Sequence, residues 1–240
     1  MQRTNRISAA WLLLGLILLG SSASAGSVNK SIRIEAGTQS SGDSTVNGSV
    51  SVGAGAVVSG PVESVNGSIN IDDNVQVESV GTVNGGIRIG DGIVTDGIES
   101  VNGAIRIGPS AQIQGSVEVV NGKILLDRDG RVGGDLETVN GEISIVRTEV
   151  GGDIRTVNGN VSLNEASTVR GDIIIEKPGG WGWGRQKRKP KVTIGPGSRV
   201  EGRIVAEREI ELYISESASV GGVSGEASLE DAIRFTGDRP

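Results

Sequence analysis

Short bursts of alternating apolar and polar residues recur along this chain at a fixed interval. Val-Asn stands at 28–29, 46–47, 65–66, 83–84, 101–102, 120–121, 139–140 and 157–158, and the step from one to the next is always 18 or 19 residues. Gly follows the Asn in every case but the first, where Lys30 sits. Three and five places after each Asn comes an aliphatic residue, from Ile32 and Ile34 through Ile105 and Ile107 to Val161 and Leu163. All sixteen of these positions are Val, Ile or Leu. Apolar residues two apart with polar ones between predict a strand with one buried face. A second apolar set precedes the corner: Val62, Val80, Ile98, Val117, Leu136 and Ile154. Each repeat therefore holds a strand into the Asn and a strand out of it. Between repeats lies a middle segment such as Gly108–Gly115, with its own Ile113. Both flanks of the Asn keep register, so the one-residue variation in length must be absorbed in that segment.

A fixed period without drift predicts a stacked-repeat architecture. Asn-Gly is also a strong two-residue hairpin signal, and an array of hairpins is the competing arrangement. Strands of about four residues are marginal as isolated hairpins. A coil of 18 or 19 residues instead divides into three short faces. The expected fold is all-β: a single-stranded parallel β-helix, or β-solenoid, of about ten coils. The expected turn ladder is Asn47-Gly48, Asn66-Gly67, Asn84-Gly85, Asn102-Gly103, Asn121-Gly122, Asn140-Gly141 and Asn158-Gly159. Stacked Asn amides would bond along one edge. Asn and Gly both tolerate positive φ, so a left-handed residue is expected at Asn102-Gly103 and its equivalents. At about 4.8 Å per coil the rod would be on the order of 50 Å long. Aromatic residues are 2% of the chain, which suits a core too narrow for rings.

Residues 1–25 have the pattern of an export signal: Arg3 and Arg6, an apolar run over Ala9–Leu19, and Ala23-Ser24-Ala25 as a small-residue cleavage site. The solenoid is expected over 26–228, and 229–240 as a carboxy-terminal cap or tail. Without Arg3 and Arg6 the mature chain carries 21 Lys and Arg against 29 Asp and Glu, a net charge of −8. There is no Cys, so neither a disulfide nor a lipid on an amino-terminal Cys contributes. Outward positions such as Glu99, Arg106, Glu118, Glu137 and Arg155 read as a solvated face of mixed charge.

One segment, 177–191, breaks the period with KPGGWGWGRQKRKPK. Its Gly and Pro forbid regular structure, which predicts a loop protruding from the stack. Trp181 and Trp183 stand among glycines, and Arg185, Lys187, Arg188, Lys189 and Lys191 follow with no acid between them. Indoles beside cations suit an anionic surface, such as acidic lipid headgroups, lipopolysaccharide phosphates or cell-wall polymers. After the loop, Val192–Ile204 (VTIGPGSRVEGRI) realigns with Ile105–Val117 (IRIGPSAQIQGSV).

Lys191–Val223, with its Gly-Pro-Gly-Ser, Val-Glu-Gly-Arg-Ile and Ser-Ala-Ser-Val-Gly-Gly steps, resembles the core repeat of the bactofilins, polymer-forming bacterial cytoskeletal proteins. The resemblance covers about a seventh of the chain. It implies a right-handed triangular β-helix that polymerises end to end without nucleotide. Bactofilins are typically cytoplasmic, whereas this chain carries an export signal. The Val-Asn-Gly coils, over half of the chain, are similar to exported adhesin-like β-solenoid families of bacteria.

Residues for chemistry are sparse. The chain has no His, which removes the commonest general base and zinc ligand. A hexapeptide acyltransferase, whose sixfold step Ile107–Ile113 resembles, is expected to need a His base. A polysaccharide-cleaving β-helix would use clustered carboxylates, for which Asp127, Asp129 and Asp135 and the pair Asp72-Asp73 are the candidates. The period does not fit a calcium-binding nonapeptide repeat, and no phosphate-cradling GxxxxGK[ST] is present. A net-acidic exported chain is not expected to bind nucleic acid. These features point to a non-enzymatic structural or interaction protein of the bacterial envelope, in the periplasm or at the cell surface. No catalytic residue, metal or cofactor is expected. A polymer-forming scaffold, a monomeric adhesin or glycan-binding rod, and a carbohydrate-active enzyme are the three classes to separate. The register makes one prediction at once. Ile105→Ala should lower the unfolding free energy by about 2–5 kcal/mol and Arg106→Ala by less than about 0.5 kcal/mol in denaturant titrations.

Overall fold

A computed structural model describes residues 27–178 and 188–240. Among them every regular element is a strand, and every strand pairs in parallel with its equivalents in neighbouring coils. The stack is a β-solenoid of about ten turns. Each coil contributes to three ladders. The ladder leaving the Asn corner has eleven strands, from Ile32–Ile34 through Ile105–Ile107 to Ile233–Phe235. The middle ladder consists of two-residue strands such as Gln112–Ile113 and Arg131–Val132. The ladder entering the corner includes Val117–Asn121 and Leu136–Asn140.

Register is strict. Ile105 faces Ile87 on one side and Ile124 on the other, and Ile107 faces Ile89 and Leu126. Fifteen of the sixteen aliphatic positions flanking the corner are buried, and Ile32, in the first strand, is half-buried. Ile105 is 0% exposed while Arg106 between them lies in solvent. The middle segment adds Ile113, Val132, Val150, Val169 and Val200 to the same core.

The length variation is absorbed in the middle segment, at two places. Most coils put three residues between the middle strand and the entering strand, as from Ile113 to Val117. Four coils put two there: from Ser40 to Asp43, from Val77 to Val80, from Thr95 to Ile98 and from Val220 to Val223. In the two central ones the two strands fuse into nine-residue strands, Gln76–Asn84 and Val94–Asn102, while near either end of the stack they stay separate, as Gln39–Ser40 and Asp43–Thr45 and as Ser219–Val220 and Val223–Gly225. One further coil is shortened between Ile145 and Glu149, at the turn beyond the exit strand.

The expected left-handed conformation at the Asn-Gly corner is not there. Among the corner residues only Asn29 has a positive φ, and Asn102 is the last residue of an extended strand. The left-handed positions fall at the next corner, at Gly37, Gly55, Asn74, Gly92, Ser110, Asp129, Arg147 and Gly197. Gly, Asn and Asp, which enter the left-handed region most readily, share that corner with Ser110, Arg147, Glu165 and Ala166, so no single residue type marks it and the period did not reveal it. Gly at the Asn corner answers to close approach instead. A Cβ on Gly103 would lie against the carbonyl of Gly85, one on Gly122 against that of Gly103, and one on Gly141 against that of Gly122.

Two kinds of glycine should therefore respond differently. Gly103→Ala forces backbone apart and should cost about 1–3 kcal/mol or more. Gly55 has a left-handed φ and open space around it, so Gly55→Asn should cost less than about 1 kcal/mol. Denaturation midpoints of the two variants check this contrast.

Candidate functional site

The Asn corner carries a continuous row of amides. The Nδ2 of Asn47 donates to Asn29 Oδ1 at 2.6 Å and that of Asn66 to Asn47 at 2.9 Å. The same bond repeats through Asn84, Asn102, Asn121, Asn140 and Asn158 at 2.9–3.0 Å. Every donor points towards the amino-terminal end, so the row is polar along the axis. Just inside it, buried hydroxyls tie each coil to the one before. Ser64 Oγ donates to Gly48 O at 2.9 Å, Thr82 Oγ1 to Gly67 O at 3.1 Å and Thr138 Oγ1 to Gly122 O at 3.2 Å. These carbonyls sit at a corner where strand pairing ends, and the hydroxyl supplies the missing donor.

The row ends at the insertion. Val161 pairs with Val192, 31 residues on, so the extra residues leave from the corner that would have carried the next Asn-Gly. By register Lys177 holds that Asn position, and Arg208 holds it one coil further. Arg208 reaches back over the vacant rung, about two coil rises, and its Nη1 donates to Asn158 Oδ1 at 2.9 Å and to Val157 O at 3.3 Å. A charge-assisted bond thereby closes the last amide of the row.

Of the residues expected to bind a surface, Trp181, Trp183, Arg185 and Lys187 lie outside the described residues. Arg188, Lys189 and Lys191 lie within them. Lys189 pairs with Glu209 at 3.0 Å. Lys191 lies 4.2 Å from the centre of the Tyr213 ring, and its backbone N–H donates to Asn160 Oδ1 at 3.0 Å. An open cleft of about 670 Å³ separates the returning limb of the insertion from the Asn corner, lined by Arg188, Lys189, Lys123, Glu142, Asn158 and Asn160. Lys123 and Glu142, one coil apart on its wall, form an ion pair at 2.9 Å. The cleft places cations beside amides, an arrangement that can hold an anionic, hydroxyl-rich ligand.

Asp127, Asp129 and Asp135 do not converge. They face Arg128 at 3.6 Å, Arg147 at 3.8 Å and Arg155 at 3.9 Å respectively. Among the described residues no group of His, Cys, Asp and Glu has the geometry to hold a metal ion.

The row expected to be a solvated mixed-charge face is more enclosed than that. On the entering ladder Glu63, Gly81, Glu99, Glu118, Glu137 and Arg155 stack in register. Glu63 is buried, and Glu99, Glu118, Glu137 and Arg155 are half-buried, because stacked side chains cover one another. Arg155 closes the row, meeting Glu137 at 3.3 Å and also pairing with Asp153. Burial pushes the carboxyl of Glu63 up. It does the same to Glu99 and Glu118, helped by the carboxylate of Glu63 on the first and those of Glu99 and Asp135 on the second. Sequence gave the alignment of these glutamates but not their enclosure.

A carboxyl raised in the folded state binds its proton more tightly there than in the unfolded chain. Its contribution therefore opposes folding at neutral pH, and the opposition is relieved as pH falls towards the ordinary value of 4.5. Glu118→Gln removes the charge without the shape. It should raise the melting temperature by about 1–3 °C at pH 7, solvent screening keeping the effect small. The gain should shrink towards pH 4.5, as calorimetry at the two pH values would show. A scan against family models and searches of curated proteins and of solved structures found no match for this chain.

Proposed function

We propose that this chain is an exported, non-enzymatic structural and interaction element of the bacterial cell envelope, able to assemble through its ends. The observation that carries this reading is the continuity of the ladders to the last strand. Ile233–Phe235 extends the exit ladder against Glu211–Ser215, and its far edge has no strand partner among the described residues. Leu229 and Ile233 stand exposed beside it. Strand edges of this kind accept another strand unless they are covered. The bactofilin resemblance of Lys191–Val223 agrees with a right-handed triangular stack that joins end to end, and the Val-Asn-Gly coils agree with an exported adhesin-like rod.

A second reading is favoured by the cationic cleft. Arg188, Lys189 and Lys123 beside Asn158 and Asn160 suit a rod that binds an anionic envelope surface as a monomer, with the indoles of Trp181 and Trp183 adding apolar or stacking contact. Sedimentation and electron microscopy of the purified protein separate the two. The first predicts concentration-dependent filaments, and removal of Leu229–Pro240, which uncovers the edge of Glu211–Ser215, should increase self-association. The second predicts monomers that cosediment with anionic vesicles or cell-wall sacculi, less so as salt rises, since screening acts within about 10 Å at 0.1 M. A variant lacking Gly179–Lys189 should keep its fold and lose that binding. Monomers that bind neither surface at low salt would refute both readings.

A further inference from the structure

The outward row of the exit ladder carries Asn70, Arg88, Arg106, Leu125 and Ser144 in consecutive coils. Arg88 and Arg106 are register partners, so their Cα atoms are about 4.8 Å apart. Like charges directly opposed on a sheet are destabilising. Three other cations of the stack are answered by an acid one coil away: Lys123 by Glu142 at 2.9 Å, Arg131 by Glu149 at 3.3 Å, Arg147 by Glu165 at 3.1 Å. Arg88 and Arg106 are exposed, and neither makes an ion pair or side-chain hydrogen bond among the described residues. In a chain with a surplus of acids, two adjacent guanidinium groups are left unanswered.

They border an open depression of about 420 Å³ that runs along the axis to Leu125, Ser144 and Val146, with Asp127 on its rim. Leu125 and Val146 are half-buried and offer a shallow apolar floor, Ser144 offers a hydroxyl, and Asp127 is exposed. We propose that Arg88 and Arg106 clamp the phosphate of a phosphorylated sugar whose ring lies over Leu125 and Val146. A phosphate dianion neutralises both guanidinium groups, where one carboxylate neutralises only one. Ser144 and Asp127 can accept hydrogen bonds from sugar hydroxyls, and the Asp127 carboxylate repels a second anionic group at that end. The lining contains no aromatic ring, which disfavours a nucleotide, whose base would call for a stacking partner. No described residue of the insertion lines this site.

The test is a titration of the isotope-labelled full chain with glucose 1-phosphate, inorganic phosphate, glucose and glucuronate, followed by amide chemical shifts. Glucose 1-phosphate should shift the amides of Arg88, Arg106 and Ser144 and bind more tightly than inorganic phosphate. Glucose and glucuronate should bind at least about tenfold more weakly, as should glucose 1-phosphate to Arg88→Gln and Arg106→Gln. Arg33→Gln, exposed on the same outward row three coils from Arg88 and outside the depression, should leave the affinity unchanged. Because both arginines are exposed, circular dichroism should show the variants folded. Cosedimentation of wild type and the double variant with lipopolysaccharide vesicles and with a phosphate-bearing wall polymer identifies the source by which binding the variant loses. No shift with glucose 1-phosphate, equal binding of glucuronate, or undiminished binding by the double variant would overturn the assignment.

Discussion

Parallel pairing between successive coils fixes the axial step at about 4.8 Å, and the rest of the molecule is arranged to keep that step constant. Each backbone group in a strand finds its partner one coil away, as Ile105 N does in Lys123 O at 2.8 Å and Gly103 N in Asn121 O at 3.1 Å. Any residue whose side chain needs more room than the step allows must point outward or be absent. That is why the corner is Gly wherever a Cβ would meet the carbonyl of the coil below. It is also why the core is built almost wholly of Val, Ile and Leu. Asn succeeds at the corner because a primary amide carries both a donor and an acceptor, which match its copy one step away, so each coil satisfies the next.

The same step brings identical outward residues close together, whatever their charge. An amide row gains from this, and a charged row does not. The glutamate row on the entering ladder is closed by Arg155, which meets Asp135, Glu137 and Asp153 together, while burial and neighbouring carboxylates push the carboxyls of Glu99 and Glu118 up. The arginine pair on the exit ladder has no such partner among the described residues. Rows of like charge are thus a consequence of repeat architecture, and the places where the chain leaves them unanswered are where an outside partner gains most.

The insertion illustrates how a solenoid tolerates interruption. It leaves and returns at a corner, where the strands on either side still pair with their neighbours, Val161 with Val192 and Ile175 with Ala206. What is lost is the continuation of the amide row, and Arg208 closes its last member, Asn158. The cost falls on a surface feature, and the core continues through it.

The sequence by itself determined the fold class, the register and the buried set. Period and alternation act locally and repeat, so each coil confirms the last: Ile105 and Ile107 in, Arg106 out. It also marked the corner as Asn-Gly, but not why. Positive φ and close packing both select Gly, and only the stacked coils showed that Gly103 is held by the carbonyl of Gly85 while the left-handed residues lie at the varied turn containing Ser110 and Asp129. The candidate sites were legible only in part. The cations at 188, 189 and 191 were visible as a run of charge. Their partners Glu209 and Tyr213, the Arg208 bridge and the unanswered pair Arg88–Arg106 depend on residues 18 to 50 positions apart. A side chain's partner across the stack is set by the axial step, and that becomes visible only when the coils are placed on one another.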